Sequence, residues 1–136
     1  MTDLRQLLRE LPVFAGDLPA LDPADTPGEP VGLLTARLLA AVPARVPEPH
    51  AMTVSTADAD GSPSARTPLL KGAGGTPLTR PAGAGTGPGG AVTPGWTLHT
   101  VRAESVEFRQ DDRDRKHTRP AYRRTAGHRT KELLWT

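Results

Sequence analysis

The sequence predicts a mainly β fold of the α+β kind, in which two short N-terminal helices precede antiparallel strands. Three observations lead there. Two early stretches repeat leucine at helical spacing and each stops at a proline. A run near position 55 alternates in period two and folds back through Asp58-Ala59-Asp60-Gly61. Near the C-terminus, two strand-like runs flank Ala126-Gly127.

Leu4, Leu7, Leu8 and Leu11 fall on one helical face, and Pro12 ends the run. Residues 15–30 are rich in turn formers and read as an irregular connection. A second helix is expected from Pro30, where a missing N–H is tolerated, with a stripe of Leu34, Leu38 and Val42 before Pro43. In AMTVSTADADGSPSARTPLLK, Met52, Val54 and Thr56 alternate with Thr53, Ser55 and Ala57. The return strand runs to Leu69, Leu70 and Lys71. Pro68 cannot donate to a ladder, so it places that strand at an edge or a bulge.

Residues 72–95 hold nine of the fourteen glycines and four prolines, with no usable hydrophobic period. Fixing each such residue costs roughly 1–2 kcal/mol of backbone entropy, which Leu78 and Val92 cannot offset. The expected organisation is therefore two helices and a hairpin at 1–71, a disordered linker at 72–94, and a second ordered part at 95–136. In the last, Leu98, Thr100, Arg102, Glu104, Val106 and Phe108 share one face of a strand. RQDDRDRKHTR follows as a polar connection, then AYRR and TKELLW as a closing hairpin.

Composition excludes several function classes. The chain has 136 residues, 36% of them hydrophobic, and no cysteine, so disulfides, thiolate catalysis and cysteine zinc sites are ruled out. His50, His99 and His128 lack partners at metal-ligand spacing, and no metal is expected. The N-terminal stretch carries charges every few residues, unlike a signal peptide, and nothing approaches the roughly 20 apolar residues that span a bilayer. A cytoplasmic protein without a membrane partner is expected. GAGTGPGG does not fit the Gly-x-Gly-x-x-Gly phosphate loop.

Net charge is only +2, yet ten of the seventeen Lys and Arg lie between Arg102 and Lys131. That bias suits a phosphate-bearing partner. A nucleic-acid backbone is disfavoured, because Glu104, Glu107, Asp111, Asp112 and Asp114 interrupt the basic run. The plainer reading of these cations is a solvated face, with Arg66 and Lys71 guarding a strand edge and His117 an exposed histidine.

Two separated segments, taken together, resemble the pyridoxamine 5′-phosphate oxidases. EPHAMTVSTADADGSPSARTPLLK resembles the N-terminal half of that family, with its Arg-x-hydrophobic-Leu-Leu-Lys strand. GWTLHTVRAESVEFRQDDRDRKHTRPAYRR resembles the C-terminal signature, Glu-Phe-Trp-Gln followed by Arg-x-His-x-Arg. The resemblance covers residues 1–71 and 95–136. It implies part of an FMN-binding split β-barrel, a homodimer, and oxidation of pyridoxamine or pyridoxine 5′-phosphate to pyridoxal 5′-phosphate, with oxygen reoxidising the flavin.

By position, the resemblance assigns the FMN strand to Arg66, Thr67, Pro68, Leu69, Leu70 and Lys71, with Arg109 and Arg119 as further cofactor positions. Lys71, Arg115, Lys116 and His117 would meet the substrate, with Arg115 and His117 as the catalytic pair. Arg and Lys suit two phosphate groups through charge-assisted hydrogen bonds. Arg66 and Lys71 have opposite parity, so sharing a face requires a twist, a kink or a bulge near Pro68. The chain departs from the family pattern at four places. Arg109 and Arg129 replace tryptophans, Pro120 interrupts the stretch after Arg119, and the central strands and helices are missing. A shifted reading frame or a deletion would account for the change of composition after Lys71. A non-catalytic FMN or phosphate-ligand binding protein, and a related split-barrel flavin oxidase of a phenazine-type pathway, are the alternatives.

Overall fold

A computed structural model describes residues 3–74 and 99–134. Most of the expected linker, and Leu98 of the expected strand, lie outside the described residues. The elements are α1 (Leu4–Glu10), α2 (Pro30–Ala41), β1 (Val54–Ala57), β2 (Pro63–Arg66), β3 (Ser105–Glu107), β4 (Arg119–Thr125) and β5 (His128–Leu134). The fold is mainly β with helices first, as its patterning predicts. The strands form two open antiparallel sheets, β1–β2 and β3–β4–β5, and no barrel closes among the described residues. The chain divides into two units, one of residues 1–30 with 103–136 and one spanning Val31–Arg102.

In the Val31–Arg102 unit, Leu33 is the buried side chain of α2, while Leu34 and Leu38 are half-buried. The helix ends at Ala41 and leaves Val42 exposed, so the expected stripe loses its last member. Pro43 explains this, since it drives the residue before it out of the helical region.

The β1–β2 hairpin turns through Ala59, Asp60 and Gly61. Gly61 N–H donates to the Asp58 carbonyl and Asp58 N–H to the Ser62 carbonyl. Gly61 has φ 88°, the left-handed position that three-residue hairpin loops reserve for glycine. Beyond Arg66 the strand assignment lapses, but the register does not. Val54 faces Arg66, and the isolated bridge Ala51–Leu69 continues the same pairing. Met52 N–H donates to the Pro68 carbonyl and Leu70 N–H to that of His50. Pro68 thus removes one donor from a two-stranded ribbon without inserting a bulge.

In the other unit, Asp3 caps α1 by accepting from Arg5 N–H at 3.0 Å. The leucine face of α1 is exposed throughout. The sheet supplies the core. β4 lies between β3 and β5, and Pro120, Ala121 and Tyr122 are buried in succession. Among the described residues of the expected 98–108 strand only β3 forms, with Val106 and Phe108 half-buried and Arg102 and Glu104 exposed. Ala126 (φ 49°) and Gly127 (φ 83°) form the two-residue turn joining β4 to β5.

Pro120 was expected to interrupt this region, yet it occupies the central strand. Its carbonyl accepts Phe108 N–H at 3.0 Å, so the ladder to β3 loses only the bond that proline cannot donate. Toward β5, Pro120 faces Leu133, in the alternate position where no backbone bond is exchanged.

Across this sheet lies the segment 23–29, pinned by three side chains. Tyr122, 0% exposed, donates its hydroxyl to the Pro27 carbonyl at 2.8 Å. Lys131 Nζ donates to the carbonyl and hydroxyl oxygens of Thr26 at 2.9 and 3.1 Å, and more weakly to the Pro23 carbonyl at 3.4 Å. Arg129 Nε pairs with Glu29 at 2.8 Å, while its buried Nη1 has no hydrogen-bond partner. Phe108 packs edge-on against Tyr122 at 6.0 Å.

Replacing Tyr122 with Phe keeps the ring and removes the hydroxyl. Chemical denaturation should show a loss of about 1–3 kcal/mol, the range for stranding a buried acceptor. An unchanged midpoint would show that the Pro27 contact contributes nothing.

Candidate functional site

The cationic cluster predicted from sequence sits on the connection from β3 to β4. The Gln110–Thr118 bridge, with hydrogen bonds in both directions, closes the base of this loop. Asp112 organises its interior. Its Oδ1 accepts Asp114 N–H at 2.8 Å and Lys116 N–H at 3.3 Å, and its carbonyl accepts Arg115 N–H at 3.1 Å. These bonds hold Arg115 at φ 62°, a conformation that costs a non-glycine residue roughly 1–2 kcal/mol. Arg115 and Lys116 are consequently exposed at the tip, and neither forms an ion pair among the described residues.

His117 is placed differently from an exposed loop histidine. Its side chain is 11% exposed, and its ring packs edge-on against Phe14 at 5.2 Å. Asp112 N–H donates to Nδ1 at 3.1 Å, which puts the proton of the neutral ring on Nε2. Asp111 Oδ1 lies 3.5 Å from the same Nδ1, too far for a hydrogen bond to a nitrogen already accepting one. Arg113 donates to the Gly16 carbonyl and ties the loop to the N-terminal segment. Beside it opens a groove of about 490 Å³ lined by Leu18, Leu21, Gln110, Asp112, Arg113 and Thr118.

Arg109 and Arg119 flank the loop, and both face carboxylates. Arg109 Nε lies 2.9 Å from Asp111 Oδ1, a charge contact at an oxygen that receives no hydrogen bond. Arg119 Nε donates to Glu107 Oε1 at 2.7 Å. That hydrogen bond holds the Glu107 carboxyl below its ordinary pKa and raises that of Arg119, each against a smaller opposing effect of burial.

The other predicted residues lie on the β1–β2 ribbon. Arg66 is exposed and donates Nη1 to Thr56 Oγ1 at 3.2 Å. Thr67, Leu69 and Lys71 are exposed, while Pro68 and Leu70 are half-buried. Because the register is unbroken across Pro68, Arg66 and Lys71 remain on opposite faces by parity. The bulge that would bring them together is not formed. Arg66 through Lys71 belong to one unit, and Arg109 through Arg119 to the other.

No family model matches the chain. A segment of 55 residues is 47% identical to the pyridoxine/pyridoxamine 5′-phosphate oxidase of Cupriavidus pinatubonensis, covering 40% of this chain and 26% of that relative. The protein of the same name from Thermobifida fusca is 48% identical over 52 residues, 38% of this chain and 24% of the relative. That of Bordetella petrii is 66% identical over 32 residues, 24% of this chain and 15% of the relative. Part of this chain is thus similar to proteins named pyridoxine/pyridoxamine 5′-phosphate oxidase. The chain spans about a quarter or less of the length of these three relatives.

Sequence reasoning missed the residues that set the geometry of these cations. Asp112 carries a usable signal, since aspartates in RQDDRDRKHTR favour side-chain turns to the backbone two residues on. Glu107 carries none. It meets Arg119 only because β3 and β4 pair with Glu107 opposite Ala121, a register invisible without the fold. Phe14 likewise reaches His117 from the far end of the chain. Among the described residues no group of His, Asp and Glu could hold a metal ion, and no helix is long and apolar enough to cross a membrane.

The Glu107–Arg119 pair has a defined pH signature. Glu107's folded pKa is depressed, so its contribution is present above the ordinary carboxylate range and is lost as pH falls through the depressed value. The Arg119 Nε–H resonance should therefore shift once on acidification, below the normal glutamate range. Glu107→Gln should abolish that step; a step persisting in the variant would assign it to another carboxylate.

Proposed function

We propose that this chain acts on phosphorylated B6 vitamers, as part of a pyridoxine/pyridoxamine 5′-phosphate oxidase reaction dependent on FMN and oxygen, within a homodimer. The supporting observation is the Asp112-ordered loop, which presents Arg115 and Lys116 as exposed cations in a chain 47% identical, over 55 residues, to an oxidase of that name. Arg115 and Lys116 would bind the substrate phosphate. His117, 11% exposed beneath Phe14, would hold the loop that carries these cations rather than reach the vitamer ring.

The residues present fit the phosphate end of FMN. Arg66 offers an exposed guanidinium fork on β2, while Lys71 lies on the opposite face of the ribbon and does not share that phosphate position. Bound there, FMN would supply the hydride acceptor that no side chain can supply. The two further cofactor positions, which belong to the other unit, are already engaged by carboxylates. Arg109 replaces an aromatic surface, and its guanidinium faces Asp111. Arg119 is engaged by Glu107.

Those two ion pairs favour one further reading, a protein that binds FMN or a phosphorylated vitamer without turning it over. An absorbance spectrum of the purified protein from the ultraviolet to the blue, followed by a peroxide assay with pyridoxine 5′-phosphate, separates the two. The oxidase should be yellow and release peroxide. Flavin binding without peroxide supports the binding protein. A colourless protein that leaves FMN fluorescence unchanged would refute the oxidase, and one that also leaves the absorbance of added pyridoxal 5′-phosphate unchanged would refute both.

A further inference from the structure

The FMN reading assigns Arg66 but says nothing of what holds its guanidinium in place. The β1–β2 register answers this. Thr56 stands directly across from Ser64, and Arg66 stands across from Val54, one face-sharing position along. Thr56, Ser64 and Arg66 therefore line a single face of the ribbon, and all three are exposed. Arg66 Nη1 donates to Thr56 Oγ1 at 3.2 Å, and the two hydroxyls share a hydrogen bond at 3.0 Å.

We propose that Thr56 and Ser64 are positioning residues, which fix the Arg66 guanidinium and add a hydroxyl donor for a phosphate monoester on that face. This rests on the proposed binding of FMN. The donor count supports it. Thr56 Oγ1 accepts from Arg66. The two hydroxyls then have two protons and one shared bond between them, so one proton is left over whichever oxygen donates. Arg66 uses one of its five N–H groups on Thr56 and keeps four for the anion. An arginine on a solvent-exposed strand otherwise samples many rotamers, and ordering it at the moment of binding weakens affinity. The Thr56 hydroxyl meets part of that ordering beforehand. The two carboxylates of the hairpin turn do not pair with Arg66. Asp60 accepts Ser62 N–H at 2.9 Å, and Asp58 sits at the turn without an ion pair to Arg66.

The test compares FMN with riboflavin, which lacks the phosphate, in the full chain. Thr56→Val preserves shape and β propensity and removes the hydroxyl; Thr56→Ser restores it. Thr56→Val should weaken FMN binding roughly three- to tenfold, the range for one hydrogen bond, and leave riboflavin binding unchanged. Thr56→Ser should bind FMN as the wild type does. Ser64→Ala should weaken FMN binding by less. Equal loss for both flavins would show a merely structural role and overturn the inference. So would wild-type FMN affinity in Thr56→Val. If the wild type binds no FMN, the proposed function fails separately. Inorganic phosphate then decides this point through the Arg66 Nε–H resonance, whose response must be present in the wild type and reduced in Thr56→Val. No response in the wild type overturns the inference.

Discussion

The Tyr122 hydroxyl and the Lys131 ammonium together hold the Pro23–Pro27 segment on the C-terminal sheet, and that clamp governs the unit built around it. The reason is a shortage of apolar material. Apart from Pro30 and Pro120, only Leu33, Ala121 and Tyr122 are buried apolar residues among those described, and the leucines of α1 stay exposed. Burying a large apolar side chain is worth about 1.5–3 kcal/mol, so so few cannot offset the ordering of a chain this long. A hydrogen bond from a charged donor is worth about 1.5–3 kcal/mol, comparable to one such side chain. Polar anchors therefore rank with apolar ones here. Tyr122 is both at once, its ring under the segment and its hydroxyl on a carbonyl.

The candidate site inherits its order from this arrangement. β4 is fixed at its centre by Tyr122, and the ladder it forms with Phe108 and Gln110 sets where the connecting loop begins and ends. Asp112 then folds the short loop onto itself and lifts Arg115 and Lys116 outward. His117 goes the other way, under Phe14. One short stretch of sequence thus separates into two exposed cations and one sequestered imidazole. Glu107 and Asp111 compensate Arg119 and Arg109, so the basic bias of this region is partly cancelled where the chain folds. The local field is weaker than the composition implies.

What the sequence made legible were features set by neighbours along the chain. The Ala126-Gly127 turn, the Asp58–Gly61 turn and the proline-terminated helices each follow from local chemistry and are found in place. Where readings failed, a distant partner decided. Pro120 reads as a breaker, yet a central strand accommodates it because its missing N–H removes only one bond, toward β3. Residues 15–30 are irregular up to the start of α2, as they read, but what anchors them was not legible. Their contacts run through backbone carbonyls of Pro23, Thr26 and Pro27, which leave no mark in side-chain pattern. For the site, the cations were legible as residues but not as geometry. The parity of Arg66 and Lys71 was readable, whereas the continuity of register through Pro68 needed the paired strand.

Native-state hydrogen exchange tests the clamp most directly. The amides of Ala121, Tyr122, Arg123 and Arg124 should form the slowest set in the protein, and Lys131→Met should accelerate them together. Exchange in β4 as fast as in the exposed β2 strand, or rates indifferent to Lys131→Met, would contradict the view that the Pro23–Pro27 contact holds the sheet.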